Sequence, residues 1–395
     1  MVHPQEHQAQ PTSGNPEADA DVNTALRNAL TLHEPPHKSI PFQHDHLTIS
    51  LPPPSTPFIK IGAGTCGAVF AQPQSPLAFK LSKTTNHSAL WNDYTHHIQI
   101  FNELTRSAAY LGVAVPQPHY FVPAGHKHAP WAETHSNLLR TASEFVNLPT
   151  SVPVSERIPL CPPALYLGSM LGKDKNKRQL PVFSLRNFNL HLNQMGEIGL
   201  DYKVLAARIG KAMAVLHGVC GNDAGDVEFV LGGRRHVVGP GRDVKWIEDK
   251  TGEEGEEGWY TGPESCQDGD LFQPGDNSFF PSGNPHDEEE VALWLLDFNR
   301  VKAFDHKESD GRDVGLRVDA MVRAARENDP YLPRRGPQSQ ERERPITEEE
   351  YEAWVAFRRG YEQVAGNYGD ARDSEINPER QFLDDWEEVP RRVRG

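Results

Sequence analysis

Two patterns of apolar positions alternate along the chain. Short apolar runs bounded by Gly and Pro read as strands. Residues 58–80 contain three of them, separated by a glycine-rich turn and a short loop. Residues 113–122 form a strand interrupted by prolines, Tyr166 to Leu171 another, and Phe229-Val230-Leu231 and Val291 to Leu296 two more. Apolar residues at helical spacing mark the second pattern. Trp91, Tyr94, Ile98, Phe101 and Leu104 give an amphipathic helix over residues 87–108. Residues 183–195 lead into a second helix, where Leu200, Val204, Leu205, Ile209, Met213 and Leu216 line one face and Asp201 fits the N-cap. Val314, Val318, Met321 and Val322 share a face in residues 313–328, and Asn328-Asp329-Pro330 breaks that helix. Thr347 and Glu350 have capping-box spacing ahead of a last helix bearing Tyr351, Trp354, Tyr361 and Val364. Residues 123–163 read as Pro-rich and irregular, and residues 367–395 as charged and frayed. The pattern predicts an α+β protein.

The chemistry begins in the first strands. Gly62, Gly64 and Gly67 followed by Val69 give G-x-G-x-x-G-x-V, and Ala78-Phe79-Lys80 ends the third strand in a lysine. Glycines let backbone N–H groups approach phosphate oxygens, and a lysine on the neighbouring strand adds a positive charge to the same phosphates. A dinucleotide fingerprint requires a helix directly after the third glycine. Ala68-Val69-Phe70 continues as a strand instead, and Pro73 and Pro76 exclude that helix. Taken alone, the stretch is equally a glycine-rich hairpin with no ligand.

Two later stretches change that balance. After the second helix, HGVCGNDAGDVEFVLG places Asp223 five positions before Glu228 and a short strand. This is the register of a kinase catalytic loop, in which an aspartate accepts the substrate proton and an asparagine binds metal. Asn222 replaces the usual arginine and Glu228 the asparagine, and a carboxylate still ligates Mg²⁺. Asp226 is an alternative acid whose spacing to the strand does not match. Next, VALWLLDFNRV delivers Asp297-Phe298-Asn299 from a strand end, where a kinase presents the Asp-Phe-Gly whose aspartate chelates Mg²⁺. Asn299 stands in the glycine position and tolerates left-handed backbone angles. In the first helix the only glutamate, Glu103, falls opposite the apolar stripe and reads as a solvated charge. The partner of Lys80 is therefore left unassigned.

Charge and cysteines narrow the classes. The formal net charge is −15, and residues 243–290 hold 15 acidic side chains against Lys245 and Lys250. An acidic chain with no basic stripe does not suit duplex nucleic acid. Cys66, Cys161, Cys220 and Cys266 are widely spaced and form no C-x-x-C, which argues against a disulfide framework and a zinc finger. No apolar run reaches membrane-spanning length and the N-terminus lacks a signal-peptide pattern, so a cytoplasmic or nuclear protein, not secreted, is expected.

The ordered motifs resemble those of protein-kinase-like and aminoglycoside-phosphotransferase-like proteins. The stretches IGAGTCGAVF, AFKLSKTTNHSALWNDYTHH, FSLRNFNLHLNQMGEIGLD, NDAGDVEFVLG, LWLLDFNRV and NDPYLPR are similar to a fungal family carrying a domain of unknown function, often labelled zinc finger protein, over roughly residues 58–365. The kinase resemblance implies a bilobal fold over residues 57–365, with a small β-rich lobe to about residue 160 and a larger helical lobe from about 161. A disordered tail over residues 1–56, an acidic insertion at 233–290 and a charged C-terminal tail at 366–395 complete the expected organisation. ATP and Mg²⁺ are the implied cofactors. Gly62, Gly64, Gly67 and Lys80 would hold the nucleotide, Glu228 and Asp297 the metal, and Asp223 would act as base. The substrate or protein partner is open, with the acidic insertion as a docking candidate. The departures at Asn222, Glu228 and Asn299 suit a pseudokinase-like scaffold as the alternative.

Overall fold

The computed structural model describes residues 56–64, 66–73, 75–84, 88–106, 111–124, 129–158, 164–167, 189–233, 247–248, 260–261, 291–304, 312–328, 331–333, 346–368 and 377–388. The expected N-terminal tail, most of the acidic insertion, the basic turn at 173–179 and the last seven residues lie outside the described residues.

Strands β1 (Ile59–Ala63), β2 (Gly67–Ala71) and β3 (Leu77–Ser82) form an antiparallel meander. Ala68, Phe70, Phe79 and Leu81 are buried beneath it. Helix α1 (Ser88–Arg106) follows, and Tyr94, Ile98, Phe101 and Leu104 of its expected stripe are buried. The proline-rich stretch 113–122 splits into β4 (Val113–Ala114) and β5 (Pro118–Val122). Strand β6 (Val152–Glu156) pairs with β3 and β5, giving an antiparallel sheet in the order β1-β2-β3-β6-β5.

Residues 123–163 are more regular than their prolines suggest. Besides β6 they contain α2 (Ala129–Thr134) and α3 (Ser136–Ala142). Trp131, Leu138 and Ala142 bury their side chains against Phe70, Phe79 and Leu81, closing a first hydrophobic core. Apolar contact at about 1.5–3 kcal/mol per large buried side chain outweighs the weak propensity of helices this short.

A second sheet has the order β4-β12-β9-β7-β8. It contains β7 (Ala164–Tyr166), β8 (Asn189–His191), β9 (Glu228–Gly233) and β12 (Val291–Leu296). Between β9 and β12 only β10 (Ile247–Glu248) and β11 (Tyr260–Thr261) are described, paired antiparallel. Strands β9 and β12 are antiparallel, with Leu296 opposite Glu228.

Helix α4 (Leu192–Glu197) precedes α5 (Tyr202–Ala214), whose N-cap is Asp201, with Oδ1 accepting the Val204 N–H at 3.1 Å. A π-helical turn, Val215–Val219, extends α5. Helices α6 (Arg312–Glu327) and α7 (Glu348–Tyr368) occupy their expected positions. Thr347 and Glu350 form the capping box, each backbone N–H meeting the other's side chain. Helices α5 and α7 cross where both lack side chains. A Cβ on Gly210 would lie 2.1 Å from the Phe357 carbonyl oxygen, and one on Gly360 would lie 2.1 Å from that of Ala207.

The charged C-terminal stretch is not simply a tail. It folds into α8 (Pro378–Glu388), which buries Phe382, Leu383 and Trp386. Three apolar residues at i, i+1 and i+4 suffice when α6 and α7 together offer a matching face, and Arg358 of α7 pairs with Asp384 and Glu387 at 2.8 Å each. These helices and the second sheet enclose a second, larger core, to which α1 also contributes. Among the described residues, no helix is long and apolar enough to cross a membrane.

Candidate active site

The glycine-rich turn joins β1 to β2. The Gly64 N–H donates to the Gly67 carbonyl at 2.9 Å, and Lys83 Nζ donates to the Gly64 carbonyl at 2.7 Å. The glycines differ in what they make possible. A Cβ on Gly64 would meet nothing within 4 Å, so its surroundings are open to a ligand. A Cβ on Gly67 would lie 2.9 Å from the Leu81 carbonyl oxygen and 3.2 Å from Cγ of Lys80, so this glycine makes room for the lysine stem. One Cβ on Gly62 would make only ordinary contact with Val69.

Lys80 is held by two carboxylates from distant parts of the chain. Its Nζ lies 2.7 Å from Asp93 Oδ2 on α1 and 2.9 Å from Asp297 Oδ1 just beyond β12. Burial works against the lysine charge, but Asp297 and Asp93 outweigh it and raise the pKa above the ordinary lysine range. Asp93 also reaches the Asp-Phe-Asn turn directly, its Oδ1 accepting the Phe298 N–H at 2.9 Å. The preceding residue, Asn92, donates to the carbonyls of Asn299 at 3.1 Å and Val301 at 2.9 Å. One turn of α1 therefore fixes both the lysine and the segment after β12.

The acid that the sequence reading left unassigned is thus Asp93. Glu103 pairs with Arg106 on the surface, as its position opposite the stripe requires. A signal for Asp93 exists: at about 100° per residue it falls about 20° from Leu104, on the border of the apolar stripe. A buried aspartate there needs a cation, and Lys80 supplies it.

Asp297 has φ of 63° and Asn299 does not share that conformation. The left-handed residue of the turn is therefore the aspartate itself, not the residue in the glycine position. Asn299 acts through its side chain, donating Nδ2 to Asp297 Oδ1 at 2.7 Å. Such backbone angles on a non-glycine residue are held only where surrounding contacts fix them. Here they are the ion pair with Lys80, the Asn92 bonds and Phe298, which is buried against His97.

Glu228 opens β9 beside this turn, since its cross-strand partner Leu296 precedes Asp297. Its Oε1 accepts the Tyr331 hydroxyl at 2.9 Å. Burial, and then the Asp297 charge, push the Glu228 carboxyl up to about 6. Asp226 is also raised, by burial and then by Asp297.

Asp223 has a different position in the network. Its Oδ1 accepts the Gly225 N–H at 3.0 Å and the Lys302 N–H at 2.9 Å, and its own N–H donates to the Lys302 carbonyl at 3.0 Å. Asn222, buried beside it, accepts the Ala224 N–H at 3.0 Å and bridges Ala303. The residue in the catalytic-base position thus staples its loop to the segment following Asp297. Burial raises its pKa, while the Lys302 and Gly225 bonds oppose the rise.

Among the described residues, no group of three or more His, Cys, Asp or Glu side chains is arranged to hold a metal ion. The described cysteines, Cys66 and Cys220, form no disulfide, and burial pushes the Cys220 thiol above its ordinary range. A family model described as "Zinc finger protein", a domain of unknown function, matches residues 293–372. That region includes Asp297 and helices α6 and α7, but neither Lys80 nor Asp93. No curated protein and no solved structure matches the chain.

Proposed function

We propose that this chain is a nucleotide-binding protein of the protein-kinase-like type, acting as an ATP-dependent phosphotransferase. The observation that carries the reading is Lys80 bonded at once to Asp93 and Asp297. A strand lysine paired with an acid on the next helix, beside an aspartate at a later strand end, is the arrangement phosphoryl transfer requires in kinases. Support also comes from the antiparallel first sheet, its separate core and the helix-rich second core, which suit two lobes meeting at Lys80.

ATP fits the residues present: open space over Gly64, a fixed lysine behind it, and Asp297 and Glu228 at adjoining strand ends. The backbone of the β1–β2 turn, from Gly62 to Gly67, would cover the phosphates, Lys80 would hold them, and Asp297 with Glu228 would hold Mg²⁺. Mg²⁺ commonly uses one or two carboxylates and completes its shell with phosphate oxygens and water. When bound, Mg·ATP supplies the transferable phosphoryl group and neutralises its charge. The chain itself would fix donor geometry, keep Lys80 charged and exclude water through Phe298 and the α1 packing.

A second reading, a pseudokinase-like binding protein, is favoured by the Asp223 carboxylate being taken up by backbone bonds and by Glu228 replacing asparagine. The zinc reading suggested by the family description finds no ligand cluster among the described residues, and metal analysis of purified protein checks it directly.

A thermal-shift titration with ATP, with and without Mg²⁺, on wild type and Lys80→Ala tests the nucleotide site. Stabilisation of the wild type alone is expected, by linkage of binding to folding at about 2.7 kcal/mol for ligand at a hundredfold its Kd. Equal responses of the two proteins, or none, would refute the assignment. Phosphate release or transfer then separates the enzyme from the pseudokinase.

A further inference from the structure

Asp223 and Asp226 lie in the same loop, yet Asp223 is buried while the Asp226 side chain is 35 % exposed. Both oxygen-accepting bonds of Asp223 Oδ1 go to backbone N–H groups, and the charges it feels are those of Lys302 and Glu327. Asp226 instead feels Asp297, Arg300, Glu327 and Lys80. Its Oδ2 lies 3.8 Å from Arg300 Nε, three residues beyond Asp297. The loop is pressed onto that segment: a Cβ on Gly225 would lie 2.8 Å from the Arg300 carbonyl oxygen.

Asp226 is also held in an unusual conformation. Ala224 and Asp226 have φ of 53° and 62°, both left-handed and neither glycine. One side chain stabilises both: Asn328, buried at the end of α6, donates Nδ2 to the Ala224 carbonyl at 2.8 Å and accepts the Asp226 N–H through Oδ1. Tyr331, three residues later, holds Glu228. Asn328 and Tyr331 thus grip the two acidic residues that flank Val227.

We propose that Asp226, rather than Asp223, is the loop carboxylate facing the phosphate end of the cleft, with Asn328 as the positioning residue that turns it there. This rests on the nucleotide-binding reading above. Its chemical content is a negative charge opposite the triphosphate, able to accept a proton from a bound hydroxyl. Left-handed angles at the two non-glycine residues flanking Gly225 cost energy, and a buried asparagine satisfying two backbone groups is a means of keeping them.

The experiment is calorimetric titration of the full chain with ATP in EDTA and with Mg·ATP, read as the ratio of the two Kd values. Removing a facing negative charge in Asp226→Asn tightens metal-free ATP by on the order of fivefold and shrinks the ratio. Asp223→Asn, whose amide oxygen still accepts both N–H groups, changes the ratio less. Asn328→Ala shifts the ratio in the same direction as Asp226→Asn. The double variant matches Asp226→Asn alone, because Asn328 acts through Asp226. A loss of mere stability would not move this ratio. A wild-type ratio in Asp226→Asn, or a larger change in Asp223→Asn, overturns the inference while leaving nucleotide binding intact. Wild type that binds neither form of ATP refutes the proposed function and this inference with it. The Asp226→Asn arm stands by itself should Asn328→Ala fail to fold.

Discussion

His217 makes a prediction about pH that does not depend on any ligand. It lies in the π-helical turn after α5, fully buried, with Nδ1 2.8 Å from the Tyr361 hydroxyl and Phe382 edge-on at 4.8 Å. Burial, reinforced by the Arg317 charge, lowers its pKa from 6.5 to about 3. The unfolded chain therefore binds a proton at this residue below about pH 6.5 that the folded protein refuses until about pH 3. Stability is lost as the pH falls through that window, at about 1.4 kcal/mol per unit. Between pH 7.5 and pH 5 the loss from His217 is about 2 kcal/mol, a sizeable part of a typical stability of 5–15 kcal/mol. Glu228 acts in the opposite sense. Its folded pKa is raised to about 6, so protonation between about pH 6 and 4.5 favours the folded state and masks part of the loss. The decisive quantity is therefore a difference between wild type and His217→Gln, in which Glu228 cancels. Urea unfolding followed by tryptophan fluorescence suits this, since Trp294, Trp354 and Trp386 are fully buried. Relative to the variant, wild type should lose about 2 kcal/mol on going from pH 7.5 to 5. An unchanged difference, or a His217 ring resonance titrating near pH 6.5, refutes the reasoning.

The helix crossing and the terminal helix give two more tests by the same unfolding measurement. Gly360→Ala places a methyl 2.1 Å from the Ala207 carbonyl oxygen and should cost at least the ~1–3 kcal/mol of an overpacked core. Gly366→Ala in the same helix meets nothing within 4 Å and should stabilise by about 0.5–1 kcal/mol; equal effects at the two sites would disprove the close crossing. Trp386→Ala removes a fully buried ring whose Nε1 donates to the Pro333 carbonyl at 3.2 Å, and a loss of about 3–5 kcal/mol is expected. An unaffected midpoint would mean that α8 does not dock.

The elements legible in the sequence are those whose own pattern decides them. The stripe of α1, the Asp201 cap of α5 and the Thr347–Glu350 box were all readable because each rests on neighbours three or four positions apart. Helices α2, α3 and α8 are decided from elsewhere. Trp131 and Leu138 are buried by β2 and β3, and α8 packs chiefly on α6 with Trp386 bonded to the Pro333 carbonyl, so short segments with poor local signals fold on surfaces supplied by distant sequence. The site divides in the same way. Asp297 stands just beyond a strand end that punctuation marks out, whereas Lys80, expected to end β3, lies inside it because the pairing with β2 continues to Ser82. Asp93 looks like one more polar residue of a helix until a lysine 13 positions earlier is set 2.7 Å away. Asp223 has the right spacing for a base, yet spacing says nothing about the two N–H groups that occupy it.

Charge around Lys80 explains why the metal arm of the nucleotide test decides most. Asp93 and Asp297 bond to the lysine, and Asp226 and Glu228 are raised by burial and by the Asp297 charge. Two carboxylates thus hold Lys80 and two more lie within reach of its charge, with Arg300 beside Asp226. A bare triphosphate brought to Gly64 adds negative charge to a place already rich in it, and Lys80 would have to loosen its bond to Asp297 to reach the phosphates. Under the proposed function, a divalent cation would reverse both penalties by giving Asp297 and Glu228 a new partner and releasing Lys80 toward the nucleotide. Since no three described carboxylates form a ready-made cage, phosphate oxygens and water would complete the shell of such an ion. Metal and nucleotide should therefore bind with positive coupling, each weakly alone, and the coupling should equal itself whichever is added first. ATP that binds equally well in EDTA and in Mg²⁺ would place the phosphates away from Asp297, and the cluster would then be a structural ion-pair network joining α1 to the end of β12.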